Sequence, residues 1–164
     1  MKRIGLLSDT HGSLPAQWKD FFAETDEIWH AGDVGTTTII RQIETFKPLR
    51  CVYGNIDGQA IRQLTTAHLL FDLEGMRILM THIGGHPGRY EPKALAMIRN
   101  DQPGLFVCGH SHILRIQYDE RHQLMYLNPG AAGNSGFHQK ITMLRFSIGD
   151  GRITDMEISE TARR

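Results

Sequence analysis

Five apolar runs in this chain end at a small residue, and each small residue is followed at once by a side chain that can bind a metal ion. These five junctions are Ser8-Asp9, Gly32-Asp33, Gly54-Asn55, Thr81-His82 and Gly109-His110. A short, continuous apolar run is typical of a strand that is buried on both faces, as in a parallel sheet. Because the carboxyl ends of parallel strands open onto one crevice, the repeated junction predicts that these side chains gather at one sheet edge.

Helical patterns lie between the first three apolar runs. Ser13 can cap a first helix, and a second helical pattern extends from Thr36 to Phe46. With strands at residues 4–7, 27–30 and 50–53, the order is β-α-β-α-β, which predicts parallel strands joined by right-handed crossovers. The predicted fold class is therefore α/β.

Hairpins and one further helix are predicted for the rest of the chain. Residues 74–75 read as a hairpin turn, Pro92 begins a helix, and the residues after His112 form antiparallel hairpins. The length of 164 residues and the hydrophobic content of 40% are enough for one core without disulfides. We predict a single domain over residues 1–158 and a frayed C-terminal tail over residues 159–164.

The charge balance limits the classes of partner. Lys and Arg number 18, as do Asp and Glu, so the formal net charge is zero. Zero net charge removes the attraction that drives non-specific binding to nucleic acid or to an anionic membrane. The polar residues Ser8 and Asp9 end the first apolar run too early for a signal peptide, and no run approaches the length of a membrane span. We therefore expect a cytoplasmic protein without a membrane partner. The sequence leaves open whether the protein forms a homo-oligomer.

The side chains at the strand ends form a set that suits two metal ions. The set contains two carboxylates, one amide and four imidazoles: Asp9, His11, Asp33, Asn55, His82, His110 and His112. Seven side chains exceed the coordination of one ion, but two ions about 3.5–4 Å apart would use them if they shared a carboxylate. Asp33 stands alone at its strand end and is the predicted bridge. Mixed nitrogen and oxygen ligands favour manganese as the first choice, with nickel, iron or zinc as alternatives.

Each of these residues also has a simpler explanation when it is taken alone. A single histidine more often forms a structural hydrogen bond than a metal bond, and an aspartate after glycine commonly forms a turn or caps a helix. The occurrence of all five junctions at strand ends favours the dinuclear site. Two divalent ions against two aspartates leave about two positive charges, which a bridging hydroxide and the monoanion of a phosphodiester would balance.

The motif series resembles that of the calcineurin-like metallophosphoesterases, in particular their small bacterial and archaeal phosphodiesterase branch. The motifs concerned are Asp9-x-His11, Gly32-Asp33, Gly54-Asn55-x-Asp57, Thr81-His82 and Gly109-His110-x-His112. The resemblance implies a four-layer αββα sandwich of two mixed sheets flanked by helices, with two metal ions at the carboxyl edge of the strands. It implies that a metal-bridging hydroxide, positioned by Asp33, attacks the phosphorus of a small phosphodiester. It also implies one ion held by Asp9, His11, Asp33 and His112, and the other by Asp33, Asn55, His82 and His110.

The sequence departs from the family pattern after the motif asparagine. Many members of the family have a histidine there, which protonates the leaving group, whereas this chain has Ile56. General-acid catalysis is often worth about 10²–10⁴ in rate, so we expect a preference for activated aryl diesters over alkyl ones. His86, in a glycine-rich loop, is the candidate substitute donor or substrate contact, with an exposed loop histidine as the alternative. His30 and Asp57 are predicted to support the ligands rather than to bind metal, although Asp57 could instead be a helix cap.

Other functions remain open at this stage. The retromer subunit that resembles this branch uses the same fold as a protein-binding scaffold, and a phosphomonoesterase or a nuclease is a further alternative. The complete set of metal-competent residues favours an enzyme, and zero net charge counts against a nucleic-acid substrate. Residues 128–130 are interpreted as a turn, and His68, His122 and His138 are assigned to the surface.

Overall fold

Two five-stranded sheets lie face to face in the computed structural model, which describes residues 1–163. In chain order, the strands are β1 (Lys2–Leu7), β2 (Glu27–His30), β3 (Leu49–Cys51), β4 (His68–Leu73), β5 (Met76–Thr81), β6 (Gly85–His86), β7 (Arg89–Tyr90), β8 (Leu105–Val107), β9 (Leu114–Asp119), β10 (Leu124–Pro129), β11 (Lys140–Gly149) and β12 (Arg152–Ala162). The helices are α1 (Trp18–Phe21), α2 (Thr37–Phe46), α3 (Gln59–Leu64) and α4 (Pro92–Asp101).

Both sheets are mixed and have a parallel centre. The first has the order β12-β11-β1-β2-β3, and the second has the order β4-β5-β8-β10-β9. Strands β1, β2 and β3 are parallel in the first sheet, as are β5, β8 and β10 in the second. The outer pairs β11–β12, β4–β5 and β9–β10 are antiparallel hairpins, and β6–β7 is a separate small hairpin.

Alternating side chains divide each central strand between two layers of core. Ile4 and Leu6 of β1 face the second sheet, whereas Leu7 packs in the cluster that includes residues of α2. In β5, Met80 joins the core between the sheets, and Leu79 packs with Ala94 and other residues of α4. This two-residue period buries both faces of the parallel strands and gives four layers. The predicted αββα sandwich is confirmed.

The prediction for the first helix was only partly right. The helix α1 has four residues and begins after Gln17, and it has no side-chain cap. Ser13 lies earlier, where its N–H donates to the Thr10 carbonyl and closes a turn. Pro15 follows this turn, and because proline restricts the preceding residue to extended conformations, the helix begins further along the chain.

The predicted frayed tail was wrong for residues 159–162. These residues form the end of β12, where Ser159 to Ala162 pair with Met143 back to Lys140 of β11. The long antiparallel partner satisfies the backbone of this polar segment, a contribution that side-chain polarity does not reveal. Arg164 lies outside the described residues. Among the helices of residues 1–163, none is long and apolar enough to cross a membrane.

Candidate metal centre

The loops after β1, β2, β3, β5 and β8 meet at one edge, where the two sheets adjoin. Backbone hydrogen bonds join the loops within each sheet, from Asp9 N–H to Gly32 O (2.9 Å) and from Gly109 N–H to His82 O (3.0 Å). A third bond joins the sheets, because the His110 N–H donates to Asp9 Oδ2 over 3.1 Å. The predicted gathering of strand ends is therefore found, and it involves both sheets.

The candidate ligands form two adjacent clusters. The first cluster contains Asp9, His11 and His112, and the second contains Asp33, His82 and His110. Within each cluster, one ligand atom from every side chain lies within 4.8 Å of the others. Asn55 adjoins the second cluster, since its Oδ1 lies 3.1 Å from His110 Nδ1. All seven predicted ligands are therefore at this edge.

The Asp33 carboxylate lies between the two clusters. Its Oδ2 is 3.4 Å from His11 Nε2, and its Oδ1 is 3.3 Å from His82 Nε2. The Ile56 N–H also donates to Oδ1 over 3.1 Å, which fixes the carboxylate plane. Gly54 lies against this carboxylate so closely that any Cβ there would overlap it. One oxygen of Asp33 therefore faces each cluster, the arrangement that a bridging ligand requires.

Unpaired buried atoms point to a cation. Within residues 1–163, the buried side-chain atoms without a hydrogen-bond partner are Asp9 Oδ1, His11 Nε2 and His82 Nε2. Asp9 Oδ1 lies 3.3 Å from His112 Nε2 and 3.8 Å from the Nε2 atoms of both His11 and His82. Leaving buried polar atoms unpaired costs roughly 1–3 kcal/mol each, and a divalent ion would satisfy several together. Oxygen and imidazole nitrogen are suitable ligands for manganese, iron, nickel or zinc.

Hydrogen bonds orient these ligand atoms in advance. Asp9 Oδ2 accepts from the Ser8 hydroxyl at 2.7 Å and from the His110 N–H, so Oδ1 is left for the first cluster. His82 Nδ1 lies 2.8 Å from the Ala31 carbonyl, which can only accept, so Nδ1 carries the proton. In its neutral form His82 therefore presents a bare Nε2 to Asp33, as a metal ligand must.

Five of the seven candidates have left-handed backbone conformations. The φ angles are 54° for Asp9, 47° for His11, 56° for Asp33, 72° for His110 and 63° for His112. Asp and His adopt this region more readily than most residues, but it still costs on the order of 1 kcal/mol each. A chain that retains five such conformations at one edge keeps these side chains aimed inward at some expense in stability.

The two carboxylates and the nearby histidines shift each other's pKa values. Burial alone would raise the pKa of Asp9, but the adjacent imidazoles of His11 and His112 hold it well below its usual range. Burial likewise opposes ionisation of Asp33, and His82 brings its pKa below normal. The pKa of His11 is raised chiefly by the adjacent Asp9 carboxylate. Burial would lower the pKa of His82, but the neighbouring Asp33 carboxylate raises it. The site therefore already favours positive charge beside these carboxylates.

Asp57 fixes the loops that contain Asp33 and Asn55. Its buried carboxylate accepts from Val34 N–H (3.1 Å), Gly35 N–H (3.0 Å) and Gly54 N–H (2.8 Å). The carboxylate therefore joins the loop after β2 to the loop after β3. None of these bonds involves a ligand atom of the two clusters, and Asp57 does not cap α3, whose N-cap is Gly58 without a side-chain hydrogen bond.

His30 holds the first two loops in a similar way. Its Nδ1 accepts from the Gly32 N–H at 3.0 Å, and its Nε2 lies 2.9 Å from the Thr10 hydroxyl. That hydroxyl donates to the Val34 carbonyl, so it accepts from His30 Nε2–H. Complete burial lowers the pKa of His30 to about 4. His30 is thus a neutral residue beneath the candidate ligands.

His86 lines a cavity of about 450 Å³ that His110 also borders. The side chains around this cavity include Ile83, Tyr90, Ile113 and Arg115. His86 Nδ1 lies 3.0 Å from the Pro87 carbonyl and so donates to it. In its neutral form His86 therefore presents an unprotonated Nε2, which can accept a proton but cannot give one.

The sequence analysis did not assign three residues to the site: two that support candidate ligands and one that adjoins a candidate ligand. Ser8 supports Asp9, and buried Asn128 donates to Gly109 O and Ser111 Oγ at 3.0 Å each, so it fixes the loop before His112. The prediction that His138 is a surface residue was wrong, because its half-buried ring packs against His112 with centroids 5.0 Å apart. Ser8 had a sequence signal, its position next to a ligand. The turn predicted for residues 128–130 was wrong for Asn128, which lies in β10, and the position of His138 depends on loop packing.

The other two histidines assigned to the surface differ from each other. His68 is exposed, as expected. His122 is half-buried, and its Nδ1 lies 3.0 Å from Asp119 Oδ2 in the turn between β9 and β10. Neither residue belongs to the two clusters.

Proteins with sequences similar to this chain include archaeal metallophosphoesterases. A probable metallophosphoesterase of Methanothermobacter thermautotrophicus is 31% identical over 134 residues, covering 78% of this chain and 76% of that protein. A protein named as a phosphodiesterase, from Methanocaldococcus jannaschii, is 23% identical over 144 residues, covering 78% of this chain and 82% of its own.

A solved structure shares the whole fold. The crystal structure of Vps29 complexed with Zn²⁺, from Entamoeba histolytica, has a TM-score of 0.76 at 16% identity and covers 99% of both chains. Similarity at this level of identity shows the fold alone. The model of the calcineurin-like phosphoesterase superfamily domain matches residues 1–151, which is most of the chain. The chain therefore belongs to the calcineurin-like phosphoesterase superfamily.

Proposed function

We propose that this protein is a metal-dependent phosphodiesterase that hydrolyses small phosphodiesters. The observation that supports this best is the position of Asp33, whose two oxygens face one imidazole from each ligand cluster at 3.3 and 3.4 Å. Asp9, His11, Asp33 and His112 would hold a first ion, and Asp33, Asn55, His82 and His110 a second. The name of the relative from Methanocaldococcus jannaschii, a phosphodiesterase, agrees with this proposal.

The ions would supply most of the chemistry, and the chain would supply their placement. When bound, two divalent ions act as Lewis acids on phosphoryl oxygens and lower the pKa of the water between them. Asp33 would hold the two ligand clusters in a fixed relation to each other, and manganese is the first candidate metal. Hydrogen bonds from Ser8 and Ile56 hold the two carboxylates in place, so little reorganisation is needed during the reaction.

Charge favours a diester over a monoester. Two carboxylates, Asp9 and Asp33, belong to the six side chains of the two clusters. They neutralise about half of the charge of two divalent ions, and the remainder suits a monoanionic diester together with an ionised water. A dianionic monoester would leave the site with excess negative charge.

The surroundings of the site favour an activated leaving group. Ile56 occupies the position from which a histidine would protonate that group, and the Nδ1–H of His86 is engaged by the Pro87 carbonyl. The cavity beside His110 has apolar walls at Ile83 and Ile113. An aryl group would fit against these walls and would leave without a protein acid, because a phenoxide is a better leaving group than an alkoxide.

A scaffold without turnover is the second candidate. Three isoleucines that directly follow candidate ligands are exposed, Ile56 by 48%, Ile83 by 39% and Ile113 by 66%. Apolar side chains around a polar site are suited to a protein partner as well as to an aryl substrate. Turnover separates the two candidates.

The decisive experiment measures hydrolysis before and after metal removal. The protein is stripped with a chelator, Mn²⁺ is restored, and an aryl diester is compared with the matching aryl monoester. We expect activity only with Mn²⁺, and faster hydrolysis of the diester. The variant Asp33→Asn should lose about 100-fold or more in rate, because the shared ligand is weakened. Asp72→Asn, which alters a carboxylate that is 69% exposed, is the matched control.

Three results would contradict the proposal. Turnover without metal, or full activity in Asp33→Asn, would exclude the proposed mechanism. Binding of Mn²⁺ without hydrolysis of any ester would favour the scaffold. A series of aryl leaving groups tests the role of Ile56. Rates that do not depend on leaving-group pKa would show that a general acid protonates the leaving group, contrary to the proposal.

A further inference from the structure

His138 forms a hydrogen-bonded chain that ends at a candidate metal ligand. His138 Nε2 lies 2.8 Å from the Gly133 carbonyl, and His138 Nδ1 lies 3.0 Å from His112 Nδ1. The two rings meet edge to face, with an angle of 72° between their planes. Beyond them, His112 Nε2 lies 3.3 Å from Asp9 Oδ1. The chain therefore runs from a backbone carbonyl through two imidazoles to the first cluster.

The partners assign the position of each proton along this chain. A carbonyl oxygen only accepts, so His138 Nε2 carries a proton and donates it to Gly133. In a neutral ring, the other nitrogen of His138 is then an acceptor. His112 Nδ1–H must donate to it, which leaves His112 Nε2 with a free lone pair directed at Asp9. This is the tautomer that a ligand bound through Nε2 requires.

The loop that contains His138 is fixed at both ends. The Gly133 N–H donates to the Asp9 carbonyl at 3.1 Å, and the Asn134 N–H donates to Ser13 Oγ at 3.2 Å. The Arg163 guanidinium, just beyond β12, donates to the carbonyls of Gly136 and His138. His138 is therefore held relative to Asp9 by the backbone, and its position is not that of a freely rotating surface residue.

Close packing adds a second constraint on the same ring. Gly136 has a φ of 131° and lies so close to the His112 imidazole that any Cβ there would overlap the ring. The backbone at Gly136 therefore closes one side of His112 while His138 accepts the hydrogen bond from its Nδ1–H. A loop built only to connect β10 and β11 would need neither contact.

We infer that His138 is a positioning residue, which fixes the tautomer and orientation of His112 for the first metal ion. This inference rests on the proposed metal site and names a residue that the ligand motifs do not include. Mutating the hydrogen-bond partner of a metal-binding histidine typically lowers metal affinity by about 10–100-fold. Removing His138 should therefore weaken the first ion and leave the second, which His82 and His110 would hold, unchanged.

Two variants test the inference with metal binding as the measurement. His138→Leu fills the space without an acceptor, whereas His138→Gln offers a side-chain oxygen to His112 and an N–H to Gly133. Calorimetric titration of the metal-free protein with Mn²⁺ should show two ions in the parent. We expect about 10–100-fold weaker binding of one ion in His138→Leu and substantial recovery in His138→Gln. Urea unfolding of each metal-free variant shows whether the fold is retained.

The tautomer of His112 is the independent measurement. Long-range ¹H–¹⁵N spectra of the metal-free protein at pH 8 should show the Nδ1–H form in the parent and loss of that preference in His138→Leu. Parent affinity for both ions in His138→Leu, equal weakening of both ions, or an Nε2–H form of His112 in the parent would overturn the inference. If the parent binds fewer than two ions, the proposed function fails, and the tautomer of His112 still decides the inference.

Discussion

Replacing Asp57 should show how much stability the loops of the metal site draw from one buried carboxylate. Asp57 is 3% exposed and accepts three backbone N–H groups, from Val34, Gly35 and Gly54. In Asp57→Ala these three donors lose their partner, and each unsatisfied buried donor costs roughly 1–3 kcal/mol. The relief of burying a carboxylate offsets part of this loss. We expect the free energy of unfolding to fall by about 3–5 kcal/mol.

A second substitution at this position grades the effect. Asp57 Oδ2 accepts from Val34 and Gly54, and Oδ1 accepts from Gly35 alone. In Asp57→Asn, the amide oxygen can keep the first two bonds while the NH₂ group faces the Gly35 N–H. Loss of one bond should cost about 1–2 kcal/mol. A domain of this size is stabilised by about 5–15 kcal/mol in total, so the loss in Asp57→Ala could leave too little stability to measure. The smaller loss in Asp57→Asn would still be measurable.

Urea unfolding of the metal-free protein is the assay, with Asp72→Ala as the matched control. Asp72 is 69% exposed and pairs with Arg77 at the surface, so its removal should change stability by less than about 1 kcal/mol. The loss in free energy of unfolding should be largest in Asp57→Ala, smaller in Asp57→Asn and smallest in the control. A loss in Asp57→Ala no larger than that of the control would refute the reasoning, because it would mean that water replaces the carboxylate without cost.

Two further predictions concern His30 and Gly32. Because the folded pKa of His30, about 4, lies below the ordinary value of 6.5, the unfolded state binds more protons between these values. Its contribution of about 3 kcal/mol should therefore be lost as pH falls from about 6.5 to 4, and urea unfolding of His30→Gln should show a shallower pH dependence than the parent. In Gly32→Ala, with φ of 103°, the new Cβ would lie 2.6 Å from His82 Nδ1, so both stability and Mn²⁺ affinity should fall. Gly88→Ala has a similar φ of 89° and no atom within 4 Å, so equal losses in both variants would exclude the contact with His82 as the cause.

The ligand set could be predicted because it lies where strands end. An apolar run followed by Asp9, Asp33 or His82 indicates both the strand and the direction of the next side chain. Parallel pairing then brings distant residues together within each sheet, and the packing of the two sheets joins the two groups. The four-layer sandwich, in contrast, was expected from the family resemblance, and the fold confirms it.

The parts that sequence did not reveal depend on contacts without a local pattern. His138 reaches His112 because the loop before it is bonded to Asp9 and the chain after β12 clamps it with Arg163. The polar residues 159–162 form a strand because β11 is long enough to pair with them. Neither result follows from periodicity or propensity, since each depends on the partner that the fold supplies.

The tautomers of the histidines depend both on the strand ends and on contacts made by the loops. His82 and His112 each have Nδ1 beside an acceptor, the Ala31 carbonyl in one case and His138 in the other. In both, Nε2 is left facing the carboxylates of Asp9 and Asp33. A strand end decides which residue reaches the site, whereas the acceptor behind it decides which nitrogen can bind. For His82 the acceptor comes from the loop directly after β2 of the other sheet, and for His112 it comes from a loop about 26 residues away. The second ion position is therefore specified mainly by the sheets, and the first depends in addition on how the connection from β10 to β11 folds.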